Sequence, residues 1–231
     1  MSRSHIGAGP APALDGIHSV LVAAPTYVHK DYCLDEYIDA YNSFVWPNRS
    51  LMLVDNSRDG GKYARHLRRL KIPIVVREEP SRDFEETFSR CWRRILEQAQ
   101  SGGWEWILSL ETDVIGPPLL IDTLLNIALF VQAPFVCHAY PYHDGRIHEM
   151  YQGLGCVLMT TELLARAMKE HDDPKSPGHD VVEGAVYEVA RSNSHVALAT
   201  LLDLKHRDAP GGGATPVWDW DEITDPRVVK V

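Results

Sequence analysis

Glu111 and Asp113 stand two residues apart near the end of an apolar run from Trp106 to Val114. A run of that length and composition predicts a strand buried on both faces, as in a parallel sheet. Side chains two apart point the same way along an extended chain, so both carboxylates can converge on one object. Buried carboxylates are costly unless a cation or hydrogen bonds compensate them. At the carboxyl end of a parallel strand, where open α/β sheets bind ligands, a divalent metal carrying phosphates meets that need. A second reading has the two acids cap a helix begun at Gly116-Pro117-Pro118-Leu119.

The flanking sequence shows what would hold such a strand. A short buried strand from His18 to Ala24 is closed by Pro25-Thr26-Tyr27. Leu34, Tyr37, Ile38, Tyr41 and Val45 then share one helical face. A strand from Ser50 to Val54 runs into Asp55-Asn56-Ser57-Arg58-Asp59-Gly60-Gly61, and a basic helix turns Tyr63, Leu67 and Leu70 inward. A third strand at Ile72 to Val76 precedes a longer amphipathic helix marked by Phe84, Phe88, Trp92, Ile95 and Leu96, which Ser101-Gly102-Gly103 breaks. Strands alternating with helices predict βαβ units and a mainly parallel sheet. Beyond Ala133 the rhythm changes: strands at Phe135 to Tyr140, Gly155 to Thr160 and Val196 to Leu202, helices at Leu163 to Lys169 and Val181 to Ala190.

Bulk properties bound the function. The 231 residues suit one domain, read here as a flexible tail over 1–17, a body over 18–209 and a C-terminal tail or lid over 210–231. Gly211-Gly212-Gly213 would hinge that lid, with Trp218 and Trp220 beyond. No run approaches the roughly 20 apolar residues that span a bilayer, so no integral membrane segment is expected. With no basic-then-apolar export signal, the expected compartment is the cytoplasm. Cys33, Cys91, Cys137 and Cys156 are scattered among apolar neighbours and read as reduced core thiols. The net charge of −9 argues against broad affinity for nucleic acid. His138, His143 and His148 recur every five residues, which matches neither a helix face nor strand alternation, so they are not read as a metal site. With Tyr140, Tyr142 and Tyr151 they suggest a polar loop with stacking surfaces.

Taken in chain order, these pieces resemble the GT-A nucleotide-sugar glycosyltransferases, most nearly the large inverting group called family 2. The resemblance spans about Val20 to His206. It implies a three-layer α/β fold with a mainly parallel central sheet, a nucleotide-binding half over 18–115 and an acceptor half over 116–209. In that family a Pro-Thr-Tyr-like turn borders the nucleotide, matched by Pro25-Thr26-Tyr27. An acidic turn holds base and ribose, matched by Asp55, Asn56 and Ser57. The family's Asp-x-Asp metal motif is matched by Glu111-Thr112-Asp113, and a late metal-binding His by His206. Its Gly-Glu-Asp, which carries the catalytic base, is matched by Gly178-His179-Asp180, with Glu183 one helical turn on as the rival. Glu111 replaces an Asp and His179 replaces a Glu, so the metal motif and the base depart from the pattern.

The resemblance implies transfer of a sugar from a nucleotide-diphosphate donor, a UDP- or GDP-sugar, to a hydroxyl acceptor. Mn²⁺ or Mg²⁺ on Asp113, assisted by Glu111 and His206, would neutralise the departing diphosphate. Ordinary alternatives remain for His206 (a solvated turn), Asp55 (an Asx turn), Tyr27 (a core-edge aromatic) and Asp180 (a helix cap). Arg90, Arg93 and Arg94 read as a solvated helix face, with one of them reaching the nucleotide as the alternative. A nucleotidyltransferase needs a glycine-rich loop after the first strand, and Pro25 to Lys30 has none. A dinucleotide oxidoreductase fails because Gly7 and Gly9 precede that strand. An inactive binding module of the same fold stays open. The acceptor is a glycan, a small molecule or a hydroxylated base in DNA, the last suggested by the cluster from Arg65 to Lys71.

Overall fold

The computed structural model describes residues 16–138, 154–173, 175, 181–193, 196–199, 202, 204–207 and 228–230. β1 (Val20–Thr26), α1 (Leu34–Ser43), β2 (Arg49–Asp55), α2 (Lys62–Arg69), β3 (Ile74–Arg77), α3 (Phe84–Gly102) and β4 (Trp106–Leu110) alternate through the first half. A short β5 (Val114–Ile115) and α4 (Leu120–Val131) come next, then β6 (Phe135–His138), β7 (Cys156–Thr160), α5 (Thr161–His171) and α6 (Val182–Asn193). β8 (Val196–Ala199), β9 (Lys205–His206) and β10 (Val228–Lys230) complete the set.

β1 shows why its sequence is almost wholly apolar. Val20, Val22 and Ala24 enter one apolar cluster, Leu21 and Ala23 the other, so the strand is covered on both faces. Leu34 and Tyr37 of α1, Leu67 of α2 and Leu124 of α4 cover the first face. Trp92 and Ile95 of α3, Leu164 of α5 and Val186 of α6 cover the second. Three layers result. Truncating a fully buried residue such as Leu108 in β4 to Ala would cost about 2–5 kcal/mol.

Among the described residues eight strands form one sheet in the order β10-β8-β6-β7-β4-β1-β2-β3, and β5 pairs with β9 separately. Among these described strands, only the pairings of β7, with β4 and β6, are antiparallel in the large sheet. The chain lays β1, β2 and β3 outward in one direction, and α3 then returns it to the far side of β1, where β4 pairs. That reversal opens a crevice between the carboxyl ends of β1 and β4, the usual ligand position in open α/β sheets.

Local chemistry sets the helix ends. Asp83 caps α3 by accepting from the Glu85 N–H at 2.9 Å, and Gly103 closes it at φ +68°, a conformation that favours glycine. Asp59 accepts from the N–H groups of Gly61, Lys62 and Tyr63 at 2.7–3.0 Å and so starts α2. Several expected boundaries shift. Pro25 and Thr26 belong to β1 rather than to the turn after it, and α3 runs through Ser101 and Gly102. The tail expected over 210–231 contributes β10, an edge strand beside β8; its glycines and Trp218 and Trp220 lie outside the described residues. All four cysteines are free and buried. Among the described residues, no helix is long and apolar enough to cross a membrane.

Candidate functional site

β4 ends at Leu110, and residues 111–113 leave it as a turn closed by the Val114 N–H donating to the Glu111 carbonyl at 2.9 Å. The single strand expected from Trp106 to Val114 is thereby corrected: a turn, not strand alternation, brings the two carboxylates together. They meet on a cation that the chain itself supplies. Lys30 Nζ donates to Glu111 Oε2 and to Asp113 Oδ1, each at 3.0 Å. The helix-cap reading fails, since α4 is preceded by Leu119 and has no side-chain cap.

Lys30 sits in a 3-10 turn, Val28–Cys33, directly after β1. Cys33 ties that turn to the acids, its Sγ lying 3.1 Å from the Lys30 carbonyl and 3.2 Å from the Thr112 carbonyl. Burial, then the charge of Asp113, pushes the thiol up to about 11, so it stays protonated and able to donate. Thr26 Oγ1 and Thr112 Oγ1, 3.3 Å apart, join the ends of β1 and β4 across the crevice. Tyr37 adds a third tie, its hydroxyl donating to the Leu110 carbonyl at 3.0 Å.

Asp113 is nearly buried. Burial alone would raise its pKa, but the His206 imidazole and the Lys30 ammonium outweigh it and hold the carboxyl at about 2. His206 Nε2 lies 3.8 Å from Asp113 Oδ2, and the His206 side chain is only 7% exposed, so it is not a solvated turn residue. The small antiparallel ladder explains the meeting: Val114 pairs with His206, and the Arg207 N–H donates to the Asp113 carbonyl at 2.7 Å. Glu183, in the first turn of α6, lies close enough for the Glu111 charge to act on it. Burial, then the charges of Glu111 and Glu85, holds its carboxyl above the usual range, against a backbone hydrogen bond from Leu154. Asp180 lies outside the described residues, as do Tyr140, Tyr142, His143, His148, Tyr151 and His179.

Beside this cluster a cleft of about 490 Å³ opens at the carboxyl ends of β1 and β2. Its walls are Tyr27, Val28 and His29 before Lys30, Asn56 to Asp59 after β2, and Pro80, Ser81, Arg82, Phe84 and Thr87. Tyr27 is 41% exposed there, not a closed core edge. Asp55 is fully buried and does not line the cleft. Its Oδ1 accepts from the Ser57 N–H at 2.9 Å, an Asx-type bond, while Oδ2 has no hydrogen-bond partner among the described residues. Ser57 Oγ accepts from the Val28 N–H at 2.8 Å, which locks the two cleft walls together. Pro25 stays in the sheet, opposite Val54. Arg90, Arg93 and Arg94 are engaged by Glu78, Glu86, Asp172 and Glu97.

Sequence reasoning missed Lys30, Cys33 and the wall residues Arg58, Arg82 and Phe84. One signal was present for Lys30: a lone cation a few residues past the strand that neighbours the acidic one.

No protein-family model matches the chain, and no curated protein sequence matches it. Solved structures do. TarS residues 1–349 from S. aureus align at 15% identity and a TM-score of 0.52, covering 74% of this chain and 55% of that one. A mannosyltransferase from Pyrobaculum calidifontis, in complex with GDP-Man and Mn²⁺, aligns at 14% identity and 0.57, covering 84% and 57%. Glucosyl-3-phosphoglycerate synthase from Mycobacterium tuberculosis, with Mn²⁺, UDP and glucosyl-3-phosphoglycerate, aligns at 18% identity and 0.54, covering 84% and 73%. The chain thus spans 55–57% of the length of the first two. At these identities the likeness is one of fold, and the fold is that of the GT-A glycosyltransferases.

Proposed function

We propose that the chain transfers a sugar from a nucleotide-diphosphate donor to a hydroxyl acceptor. One observation carries the reading: the cleft wall Tyr27–His29 leads directly into Lys30, and Lys30 touches both acids at the β1–β4 crevice. A nucleoside in the cleft would place its diphosphate against that cluster. The fold supports this, because similar structures hold UDP, UDP-GlcNAc or GDP-Man.

The residues fit a divalent ion. Asp113 Oδ2 and His206 Nε2, 3.8 Å apart and both nearly buried, offer an oxygen and an imidazole donor, a set that suits Mn²⁺ and accepts Mg²⁺. Among the described residues no group of three such ligands forms a closed cage, so donor phosphates would complete the sphere. When bound, Mn²⁺ or Mg²⁺ supplies positive charge to the departing diphosphate. Tyr27 and Phe84 offer ring faces to the base, and Asn56 and Ser57 offer polar groups to base and ribose. Glu183 takes the proton of the acceptor hydroxyl, because burial beside Glu111 keeps it a stronger base than an exposed carboxylate. Asp180 is the other candidate for that step, and inversion at the anomeric carbon is the expected outcome.

The test is a thermal-shift screen of UDP- and GDP-sugars with Mn²⁺ or Mg²⁺, followed by donor hydrolysis. A ligand at 100 times its Kd stabilises by about 2.7 kcal/mol, enough to read. One donor class should stabilise the wild type with slow hydrolysis, and Asp113→Asn should remove both effects. Failure of every donor would sink the proposal, and metal-independent glycan binding without hydrolysis would make the chain a binding module.

A further inference from the structure

We propose that Lys30 controls the divalent ion in this site: it withholds Glu111 from the ion, so that the ion binds with the diphosphate and not alone. The inference rests on the reading of Asp113 as an ion ligand. Two carboxylates meeting in one turn would together make a strong hard-cation site. Here one oxygen of each is spent on the same ammonium, at 3.0 Å from both. The other Asp113 oxygen, Oδ2, faces His206 Nε2 at 3.8 Å, a pair that an ion would have to enter between.

The ammonium is built in rather than passing. Its side chain is 18% exposed, and its turn is fastened to the acidic turn by Cys33. Charge then decides the order of events. Two carboxylates and one ammonium leave a single negative charge, and a divalent ion at Asp113 would sit beside a positive neighbour that repels it. A diphosphate cancels that repulsion and supplies oxygen ligands. Lys30 uses two of its three N–H donors on the acids in the bonds described, which leaves the third for a phosphate oxygen. Lysine suits this role, being a compact charge on a flexible stem.

The experiment titrates Mn²⁺ alone, read by electron paramagnetic resonance, into wild type, Lys30→Met, Lys30→Gln, Lys30→Arg and the double variant Lys30→Met/Glu111→Gln. Without the ammonium, Glu111 joins the ion, so Lys30→Met and Lys30→Gln should bind Mn²⁺ roughly tenfold tighter or more than wild type. The gain should vanish in the double variant, and Lys30→Arg should stay as weak as wild type. Lys30→Gln keeps amide donors for the acids and so guards against a failure of Lys30→Met to fold. Adding UDP or GDP should tighten wild-type Mn²⁺ binding roughly tenfold or more, and much less in Lys30→Met. Equal Mn²⁺ affinity in wild type and both neutral variants, or no Mn²⁺ binding by any of them, overturns the inference. The proposed activity fails on a different reading, the absence of donor binding, so the two failures are distinguishable.

Discussion

Glu183 is where proton chemistry at this site is most directly testable. Its carboxyl is raised by burial and by the neighbouring charge of Glu111, while Asp113 is held at about 2. Carboxylates driven apart in this way divide into one group that stays charged and one that exchanges protons. Glu183→Gln should therefore lower kcat by about 10²–10⁴-fold with the donor KM nearly unchanged. Steady-state kinetics with saturating acceptor checks this; a retained kcat would move the role to Asp180. At this scale the sequence was legible in part. Glu111 and Asp113 could be singled out because two acids closing an apolar run need a partner. That partner went unread, because Lys30 reaches them through a 3-10 turn that no hydrophobic period announces, and only its place just past the neighbouring strand hinted at it.

Elements decide whether those side chains stay in place. β9 owes its position to backbone pairing with β5 and to Arg207, whose guanidinium binds Glu36 on α1, Nε to Oε2 at 2.8 Å. Arg207→Ala leaves every proposed ligand intact yet loosens the strand carrying His206. It should weaken Mn²⁺ binding in the presence of UDP or GDP by about three- to tenfold, against a larger loss for His206→Ala, as isothermal titration would measure. On the opposite face, Arg93 of α3 and Asp172 just after α5 form a two-pronged ion pair, Nη1 to Oδ2 at 2.8 Å. The hydrogen bond from Arg93 lowers the Asp172 pKa from 3.8. Since the folded value is depressed, the stabilisation is present above the unfolded pKa and is lost as pH falls below about 4 through the folded one. The pair is about half exposed, so its contribution should stay below about 1 kcal/mol. Melting curves of wild type and Asp172→Asn should differ slightly at pH 6 and draw together as the pH falls through the depressed folded value. The parallel half of the sheet was readable from runs such as Leu51 to Val54, buried on both faces. The β5–β9 ladder was not, because pairs of two residues leave no pattern.

At the scale of the whole molecule, charge and topology bear on the acceptor. The net charge of −9 sets a repulsive background for any polyanion. Against it stands the basic cluster on and after α2, where Arg65, His66, Arg68, Arg69 and Lys71 surround an inward face made by Tyr63, Ala64 and Leu67. Some of that charge is already committed locally: Arg68 donates to the Val75 carbonyl at 3.3 Å, and His66 pairs with Asp31 at 3.5 Å. α2 also covers the sheet beside β3, while the two acids lie just after β4, on the other side of β1 from β2 and β3. The acidic total and these local ties weigh against a duplex gripped by α2. The chain should therefore fail to shift a DNA duplex at about 150 mM salt, where phosphate contacts are strongly weakened. Binding that persists there, with affinity falling steeply as salt rises and lost on Arg65→Ala/Arg69→Ala, would instead make α2 a phosphate-contacting surface and a modified base the acceptor.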